Sequence, residues 1–392
     1  MKTANENRRI MWLMHALMLL IAVPSTLLGA LTPYLTQRFS LTYTQIGMLG
    51  SAQGIGGIVS MMAGGLISDR MPKLRLSGWV LVLLTISAAG LYLADSYPVL
   101  ILMLAIVQFS ANLLSMVISS YWCEQPDGSH QLSYGHALFG VGSLLGPLYA
   151  AAMVASSHEK SAFLVVGILG VALLIVGFPS FRGAKERFTA ETTTSQEKMS
   201  SILKNPTLWF LLLACFLYMG QQSSVGIWVT SYMKQHWNSG MAEMTLTLYW
   251  TGVMAGRFLL PKMEKYVEAR RWLAIACTVA AVALTAALLI DLEWLFIVVL
   301  SLSTVGTGAA FPYLIDMSSR CCPQHSGLAT TAVCLAGTLG GTAIPWTIGV
   351  VSQGMGELPG MMMLPVCLLL CAAVLGGVAR FHQQKGSKEA AA

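Results

Sequence analysis

Long apolar runs separated by short polar connections make up most of the chain. Twelve such runs, most of them 18 to 27 residues long, could each form a helix. A helix of that length crosses about 30 Å of hydrocarbon with some tilt. The predicted spans are 11–36, 44–67, 76–94, 98–122, 132–155, 161–179, 207–233, 244–261, 272–290, 294–316, 326–352 and 360–379. The pattern therefore predicts an all-α, polytopic membrane protein with twelve transmembrane helices.

One long polar connection, residues 181–205, divides the spans into two groups of six. It contains five basic residues and a Thr-Thr-Thr-Ser stretch, so we expect a linker there. The predicted domains are a six-helix bundle over 1–180, the linker 181–205, a second six-helix bundle over 206–382 and a disordered tail over 383–392. Two repeated halves of six spans are typical of secondary transporters.

Composition agrees with a lipid environment. Of the 392 residues, 55% are hydrophobic and 10% are charged, whereas soluble domains carry about 25% charged residues. The net charge of +6 does not indicate nucleic-acid binding, because the basic residues are spread among the connections. The eight cysteines are scattered, which excludes a disulfide framework. No metal-ligand cluster and no nucleophile–base set is visible, so we expect neither a cofactor nor a metal nor an enzyme.

Basic residues in the connections predict the orientation, because cytoplasmic loops are enriched in Lys and Arg. With the N-terminus inside, only Arg38, Lys160 and Lys234 of the 23 basic residues fall outside. We therefore expect cytoplasmic termini and a cytoplasmic linker in a plasma (inner) membrane. Tryptophans at the predicted cytoplasmic ends are interpreted as an interfacial belt: Trp12, Trp79, Trp122, Trp209 and Trp272.

The loop after the second span reads Gly65-Leu-Ile-Ser-Asp69-Arg70-Met-Pro-Lys-Leu-Arg75. It resembles the G-x-L-A-D-R-x-G-R-K-R motif of the major facilitator superfamily, and Gly252-Val-Met-Ala-Gly256-Arg257 in the second half resembles a weaker copy. The resemblance implies two six-helix bundles that alternate access to a central cavity. It also implies a gating role for the matching residues, which are Gly65, Asp69, Arg70, Arg75 and Arg257.

Charged residues are absent from the middle of the predicted spans, where neutral polar residues are found instead. Amides and aromatic faces suit a neutral, hydroxyl-rich solute. Gln108 and Asn112 are four residues apart and share one helix face, which we expect to point into the protein. Whether they line a cavity or join helices stays open. The candidate solute-binding residues are Gln53, Gln108, Asn112, Gln222, Trp228, Trp250 and Tyr313.

Span 4 carries Gln108-Phe-Ser-Ala-Asn112, which resembles the E-T-A-A-N segment of the fucose–proton symporter branch, and the glycine-rich runs of spans 5 and 10 are also similar. This resemblance implies transport of a sugar or sugar derivative. The branch's acid in span 4 is Gln108 here, and span 1 has no Asp or Glu. If protons are co-transported, His15 and His136 are the candidate coupling residues, because histidine titrates near neutral pH. Uniport, or coupling to something else, stays open.

Two other functions are considered. Span 5 contains Gly142-Ser-Leu-Leu-Gly146-Pro147, which fits a pattern associated with antiporters and suggests efflux of hydrophobic, drug-like compounds. The alternative is that these small residues only pack helices. The acids that the fucose–proton symporter branch carries in spans 1 and 4 are both absent, which is also compatible with a membrane receptor that does not transport. We expect a monomer whose partners are the solute, protons as the candidate coupling ion and the lipid bilayer.

Overall fold

The structure is a computed structural model that describes residues 2–67, 71–123, 125, 128–183, 205–263, 265–322 and 325–390. Within these ranges it contains thirteen α-helices and a short 3₁₀ turn, Glu159–Ser161, and no strand. The helices are α1 Lys2–Phe39, α2 Tyr43–Ile67, α3 Lys73–Leu93, α4 Tyr97–Cys123, α5 Gly128–Ala155, α6 Ala162–Gly183, α7 Pro206–Trp237, α8 Ala242–Met263, α9 Ala269–Ile290, α10 Glu293–Thr307, α11 Ala310–Cys321, α12 Ser326–Met355 and α13 Glu357–Ala390.

The helices correspond to the predicted spans. Eleven stretches of described residues are helical, long and apolar enough to cross a membrane, and one of them, Glu293–Cys321, combines α10 and α11. The remaining prediction, 244–261, coincides with α8, which lies outside these eleven and carries Glu243, Arg257 and Lys262. The predicted all-helical membrane fold is therefore confirmed. The cytoplasmic placement of both termini stays a prediction.

The chain divides into two compact units. Unit 1 comprises Met1–Leu41 and Ala52–Thr193, and unit 2 comprises Thr42–Ser51 and Thr194–Ala392. In unit 1, α1 packs against α4, α5 and α6, and α3 packs against α4 and α6. In unit 2, α7 packs against α8, α11, α12 and α13, and α9 packs against α10 and α13. The predicted domain limits stay predictions, and α13 is helical as far as Ala390, across most of the predicted tail.

Local sequence explains where α7 begins and ends. The Asn205 side chain accepts a hydrogen bond from the backbone N–H of Thr207, and Pro206 occupies the first helical position, where its missing N–H costs nothing. Asn238 ends the helix in the left-handed region at φ 51°. Asparagine tolerates this conformation better than most residues. The longest helix of unit 2 after α13 is thus delimited by two asparagines.

The tenth predicted span is broken between α10 and α11, at Gly308 and Ala309. A Cβ atom on Gly308 would lie 2.4 Å from the Val253 carbonyl oxygen, and one on Gly256 would lie 2.6 Å from that of Val305. Helix α8 therefore crosses this break at backbone contact, which only glycine permits. The second-half copy of the loop motif thus includes a helix-packing residue, Gly256.

The glycines of the antiporter-like segment in α5 pack against α1. A Cβ atom on Gly142 would lie 2.4 Å from the Leu19 carbonyl oxygen, and one on Gly146 would lie 2.1 Å from Thr26 Oγ1. Both glycines are therefore needed for close helix contact within unit 1. These contacts agree with the packing interpretation of this segment, and the antiporter interpretation stays a prediction.

Candidate functional site

In unit 1, the two amides of α4 bond to each other. Gln108 Nε2 donates to Asn112 Oδ1 over 2.9 Å, and both side chains are half-buried. The prediction that they share one helix face is confirmed. Each amide can form further hydrogen bonds, because one bond uses only one of its several donor and acceptor positions. The pair forms a polar patch on a mostly apolar helix and is suited to binding hydroxyl groups.

A second polar cluster in unit 1 is built around His15. The imidazole stacks on Trp122 of α4, with ring centroids 4.9 Å apart, and contacts Tyr134 of α5 edge-on at 5.0 Å. His15 Nδ1 lies 2.7 Å from the Met11 carbonyl oxygen. A carbonyl oxygen only accepts, so Nδ1 carries the proton. In the neutral imidazole, Nε2 is therefore an acceptor.

That acceptor is buried and has no hydrogen-bond partner among the described residues, and the same is true of Trp122 Nε1. The His15 side chain is 6% exposed and Trp122 is 0% exposed. The prediction that Trp122 belongs to an interfacial belt is wrong, because its indole lies inside unit 1. Trp12, Trp79 and Trp209 are more than half exposed, as a belt requires.

The other candidate residues of unit 1, His136 and Gln53, are more exposed than His15. His136 is exposed on α5, with Nε2 3.5 Å from Ser119 Oγ. Gln53 is half-buried on α2. Neither residue is brought into the His15 cluster by the contacts described above. Of the two histidines, only His15 has the buried environment expected of a coupling residue.

In unit 2, Gln222 lies among aromatic hydroxyls. Gln222 Nε2 donates to the Tyr218 hydroxyl over 3.3 Å, and the side chain also hydrogen-bonds to Tyr249 of α8. All three side chains are buried. Tyr218 precedes Gln222 by four residues and so lies on the same face of α7. The sequence analysis missed Tyr218, although this spacing could have revealed it.

Trp250, next to Tyr249 in the chain, has a buried Nε1 without a hydrogen-bond partner in the described ranges. Its ring meets that of Tyr249 edge-on at 5.6 Å. An indole N–H only donates, so this position can bind an acceptor. The Gln222–Tyr218–Tyr249–Trp250 cluster, which we call the α7–α8 polar cluster, combines amide, hydroxyl and indole groups.

Trp228 and Tyr313 have other contacts. Trp228 Nε1 donates to the Pro345 carbonyl oxygen over 3.0 Å, and its ring stacks on Tyr43 at 6.3 Å. The indole N–H thus satisfies the carbonyl of a proline inside α12, and the Trp228 side chain is 3% exposed. Tyr313 packs with Trp272 against Leu260 and Ala269. Neither contact places these two residues in the α7–α8 polar cluster.

The predicted gating residues are only partly described. Asp69 and Arg70 lie outside the described residues, and Gly65 is a helical residue of α2. Arg75 on α3 and Arg257 on α8 are exposed. Their gating role stays a prediction.

The structure also contains a buried ion pair that the sequence analysis did not find. Lys234 near the end of α7 binds Glu243 in the first turn of α8. The Glu243 side chain is 5% exposed and that of Lys234 is 27% exposed. The two charges neutralise each other where α7 and α8 meet.

Similarity to known proteins agrees with this architecture. The sequence profile of the Major Facilitator Superfamily matches residues 14–345. The chain belongs to the Major Facilitator Superfamily. This membership accounts for the loop motif, the two groups of six spans and the all-helical fold. The resemblance to this superfamily that was found in the sequence is confirmed.

Two relatives within the superfamily are sugar transporters by name. The chain is 20% identical to the glucose/mannose transporter GlcP of Bacillus subtilis over 337 residues. This alignment covers 82% of each protein. The chain is 22% identical over 366 residues to a glucose/galactose transporter of Brucella abortus, which covers 86% of each. These similarities agree with the resemblance to sugar transporters seen in spans 4, 5 and 10.

Among solved structures, the fold is similar to a bacterial homolog of the human lysosomal transporter Spinster in an inward-facing, unoccupied conformation. The TM-score is 0.78 at 14% identity, with 96% of this chain and 97% of that chain covered. At this identity the similarity concerns the fold alone.

Proposed function

We propose that this chain is a secondary transporter that moves a sugar or sugar derivative across the cell's inner membrane by alternating access. The observation that carries the proposal is the chemistry of the spans. The candidate solute-binding groups in them are neutral amides, aromatic hydroxyls and indoles, found as the Gln108–Asn112 pair in unit 1 and the α7–α8 polar cluster in unit 2. Such groups recognise hydroxyls and the C–H faces of sugar rings.

The named relatives support the same solute class. A glucose/mannose transporter and a glucose/galactose transporter each match more than four-fifths of the chain. Hexoses offer both hydrogen-bond donors and acceptors, as the amides do. The proposal therefore specifies a neutral hexose or a close derivative, bound by a monomer, with the Gly65–Arg75 loop and Arg257 as gating elements.

Coupling to protons, where it occurs, is assigned to His15. Its Nε2 is buried and has no hydrogen-bond partner among the described residues. In the neutral imidazole this nitrogen is an acceptor, so it is the atom at which a transported proton would bind. His136 is exposed and bound to Ser119, so we expect a lesser role for it.

The proposal is tested by binding and transport with the purified full-length chain. D-Glucose, D-mannose, D-galactose and L-fucose would be screened by thermal unfolding in detergent beside lipophilic cations, with L-glucose as a control. A ligand that binds only the folded state raises the melting temperature. A solute that stabilises the protein would then be followed into proteoliposomes. We expect stabilisation by at least one D-hexose or L-fucose, and uptake of that sugar.

Gln222→Met and Gln221→Met form a matched pair of variants. Both glutamines are buried on α7, but neighbouring residues point about 100° apart on a helix. We expect Gln222→Met to weaken sugar binding about tenfold, as loss of one or two hydrogen bonds would do, and Gln221→Met to change it less. Stabilisation only by lipophilic cations would overturn the sugar proposal and favour efflux. Absence of flux for every solute would favour a receptor.

A further inference from the structure

Two consecutive cysteines lie at the end of α11, with Cys321 as its last residue and Cys322 directly after it. Cys321 and Cys322 are both free and partly exposed, and their sulfur atoms lie 3.6 Å apart. A disulfide bond requires a sulfur–sulfur distance of about 2.05 Å, so the pair is a dithiol here. A separation of 3.6 Å nevertheless allows one central atom to bind both sulfurs, because bonds from sulfur to soft centres such as zinc are about 2.3 Å long.

The dithiol borders a cavity. Cys321 lines a cleft of about 470 Å³ within unit 2, whose wall also contains Tyr313, Met317, Thr207 and Arg320. The aromatic and thioether side chains offer an apolar surface to a substituent next to the sulfurs. The cleft gives access to Cys321 and room for an organic group, and Glu268 and Asp316 make part of its wall acidic.

The dithiol is tied to the beginning of α7. Asn205 Nδ2 donates to the Cys321 carbonyl oxygen over 2.9 Å and contacts Cys322 Sγ at 3.7 Å. The same Asn205 side chain caps α7 through Thr207. A ligand on Cys322 would therefore disturb a contact of the residue that starts this helix.

The geometry points to a binding site for trivalent, thiol-seeking arsenic compounds, formed by Cys321 and Cys322 at the end of α11. Soft thiol ligands select soft centres over hard ones. The reaction with an arsenic(III) oxide, R–As=O, forms two As–S bonds. The arsenic–oxygen bond breaks, both thiol protons leave with the oxygen as one water molecule, and the oxidation state of arsenic does not change.

Binding is measured on the full-length protein with phenylarsine oxide as the probe. We expect one adduct per chain, with the mass of one phenylarsine oxide less one water. Excess 2,3-dimercaptopropanol should remove it, whereas 2-mercaptoethanol at the same thiol concentration should not. Cys322→Ser and Cys321→Ser should each abolish the adduct, and unchanged thermal unfolding would show that both variants fold.

Another pair of thiols provides the matched control. Cys277 of α9 and Cys371 of α13 also lie within hydrogen-bonding distance of each other, but both are fully buried. Cys277→Ser should keep the adduct. An adduct that survives in Cys322→Ser, or one that disappears in Cys277→Ser, would overturn the assignment.

The consequence for transport rests on the proposed function, whereas binding does not. Because α7 also carries Gln222, phenylarsine oxide should slow sugar uptake in proteoliposomes at least twofold, and Cys322→Ser should abolish this inhibition. An adduct at Cys321 and Cys322 in a protein that transports no sugar would refute the proposed function and leave the arsenic site intact. Sugar uptake without an adduct would refute only the site.

Discussion

His15 and Trp122 stack with their ring centroids 4.9 Å apart, and each ring keeps one buried nitrogen without a hydrogen-bond partner in the described part of the chain. The Met11 carbonyl fixes the proton of His15 on Nδ1, so the two remaining nitrogens are an acceptor and a donor. One acceptor and one donor are thus left without a protein partner among the described residues of unit 1.

Gly135 keeps the Trp122 indole in place. A Cβ atom at position 135 would lie 2.1 Å from Trp122 Cη2. Gly135→Ala should therefore displace the indole and lower the free energy of unfolding by about 1–3 kcal/mol, as overpacking does. Thermal unfolding and tryptophan fluorescence would measure both effects. Gly226→Ala is the control, because no atom lies within 4 Å of its added methyl group, and equal melting temperatures for the two variants would contradict the prediction.

From the sequence we could predict where the helices lie and which residues share a helix face. We could not predict which helix packs against each face. Spacing predicted that Gln108 and Asn112 share a face, and they bond to each other. Position along the chain placed Trp122 near a membrane interface, yet that position is equally compatible with packing against α1 and α5. A glycine on α5 makes the space for this indole, and a long-range pairing of that kind leaves no local pattern.

The same reasoning explains the break in the tenth span and the α7–α8 polar cluster. Continuous apolar sequence predicted one helix over 294–316, but α8 crosses at Gly308 and the helix is interrupted. Gln222 was recognised as a buried amide, whereas its partner Tyr249 comes from another helix. Periodicity finds side chains on one helix face, and contacts between helices require the tertiary structure.

His15→Gln should remove the pH dependence of transport. Glu6 is the one acid on α1, α4, α5 and α6, and it precedes His15 by nine residues, about 13 Å along a helix. Among the other titratable or charged side chains of these helices, Tyr134 of α5 contacts the imidazole edge-on, and Arg9 of α1 bonds to Val176 of α6. We therefore expect uptake by the wild type to change with pH and uptake by the variant not to change.

The matched variant is His136→Gln, since His136 is exposed and bonded to Ser119. It should keep the wild-type pH profile. A pH profile that is flat in His136→Gln and unchanged in His15→Gln would move the coupling role to His136. A flat wild-type profile would indicate uniport or coupling to something other than protons.

Trp250→Phe should weaken sugar binding without lowering stability. The Trp250 Nε1–H is buried and has no partner in the described ranges, so its loss leaves no protein acceptor unpaired. If the solute supplies the acceptor, the dissociation constant should rise about 2- to 12-fold, the equivalent of one hydrogen bond. Sugar titrations by thermal shift measure it, and an unchanged dissociation constant with an unchanged melting temperature would exclude Trp250 from the site.

Glu268, just before α9, should contribute to stability only at pH values where it is ionised. Its hydrogen bond from Arg270 holds the pKa of the carboxyl below its usual value, 4.5. A depressed pKa stabilises the fold above the unfolded-state pKa, and this contribution is lost as pH falls through the folded-state pKa. Because the side chain is 49% exposed, Glu268→Gln should cost less than about 1 kcal/mol at pH 7. The difference from wild type should shrink at pH 4 and below, and a constant difference across this range would contradict the assignment.

The Lys234–Glu243 pair should matter more than any exposed ion pair of unit 2. Glu243→Gln leaves the Lys234 ammonium without its partner in a mostly buried position. Removing one member of a buried pair costs about 3–5 kcal/mol, and partial exposure of Lys234 reduces this to about 1–3 kcal/mol. Asp316→Asn is the control, since the Asp316–Arg320 pair is 50% and 78% exposed and should contribute at most about 1 kcal/mol.

A double-mutant cycle measures the interaction between Lys234 and Glu243 apart from the contacts that each makes with other residues. Lys234→Met should cost more than Glu243→Gln, because it leaves the Glu243 carboxylate, the more buried of the two charges, without its partner, whereas Glu243→Gln leaves the more exposed Lys234 ammonium. Combining Lys234→Met with Glu243→Gln should restore part of the stability lost in Glu243→Gln alone, because no unpaired charge is left. Chemical unfolding of the four proteins gives the coupling free energy. Strictly additive losses would mean that the two side chains act independently, in which case the contact between α7 and α8 is held by packing rather than by charge.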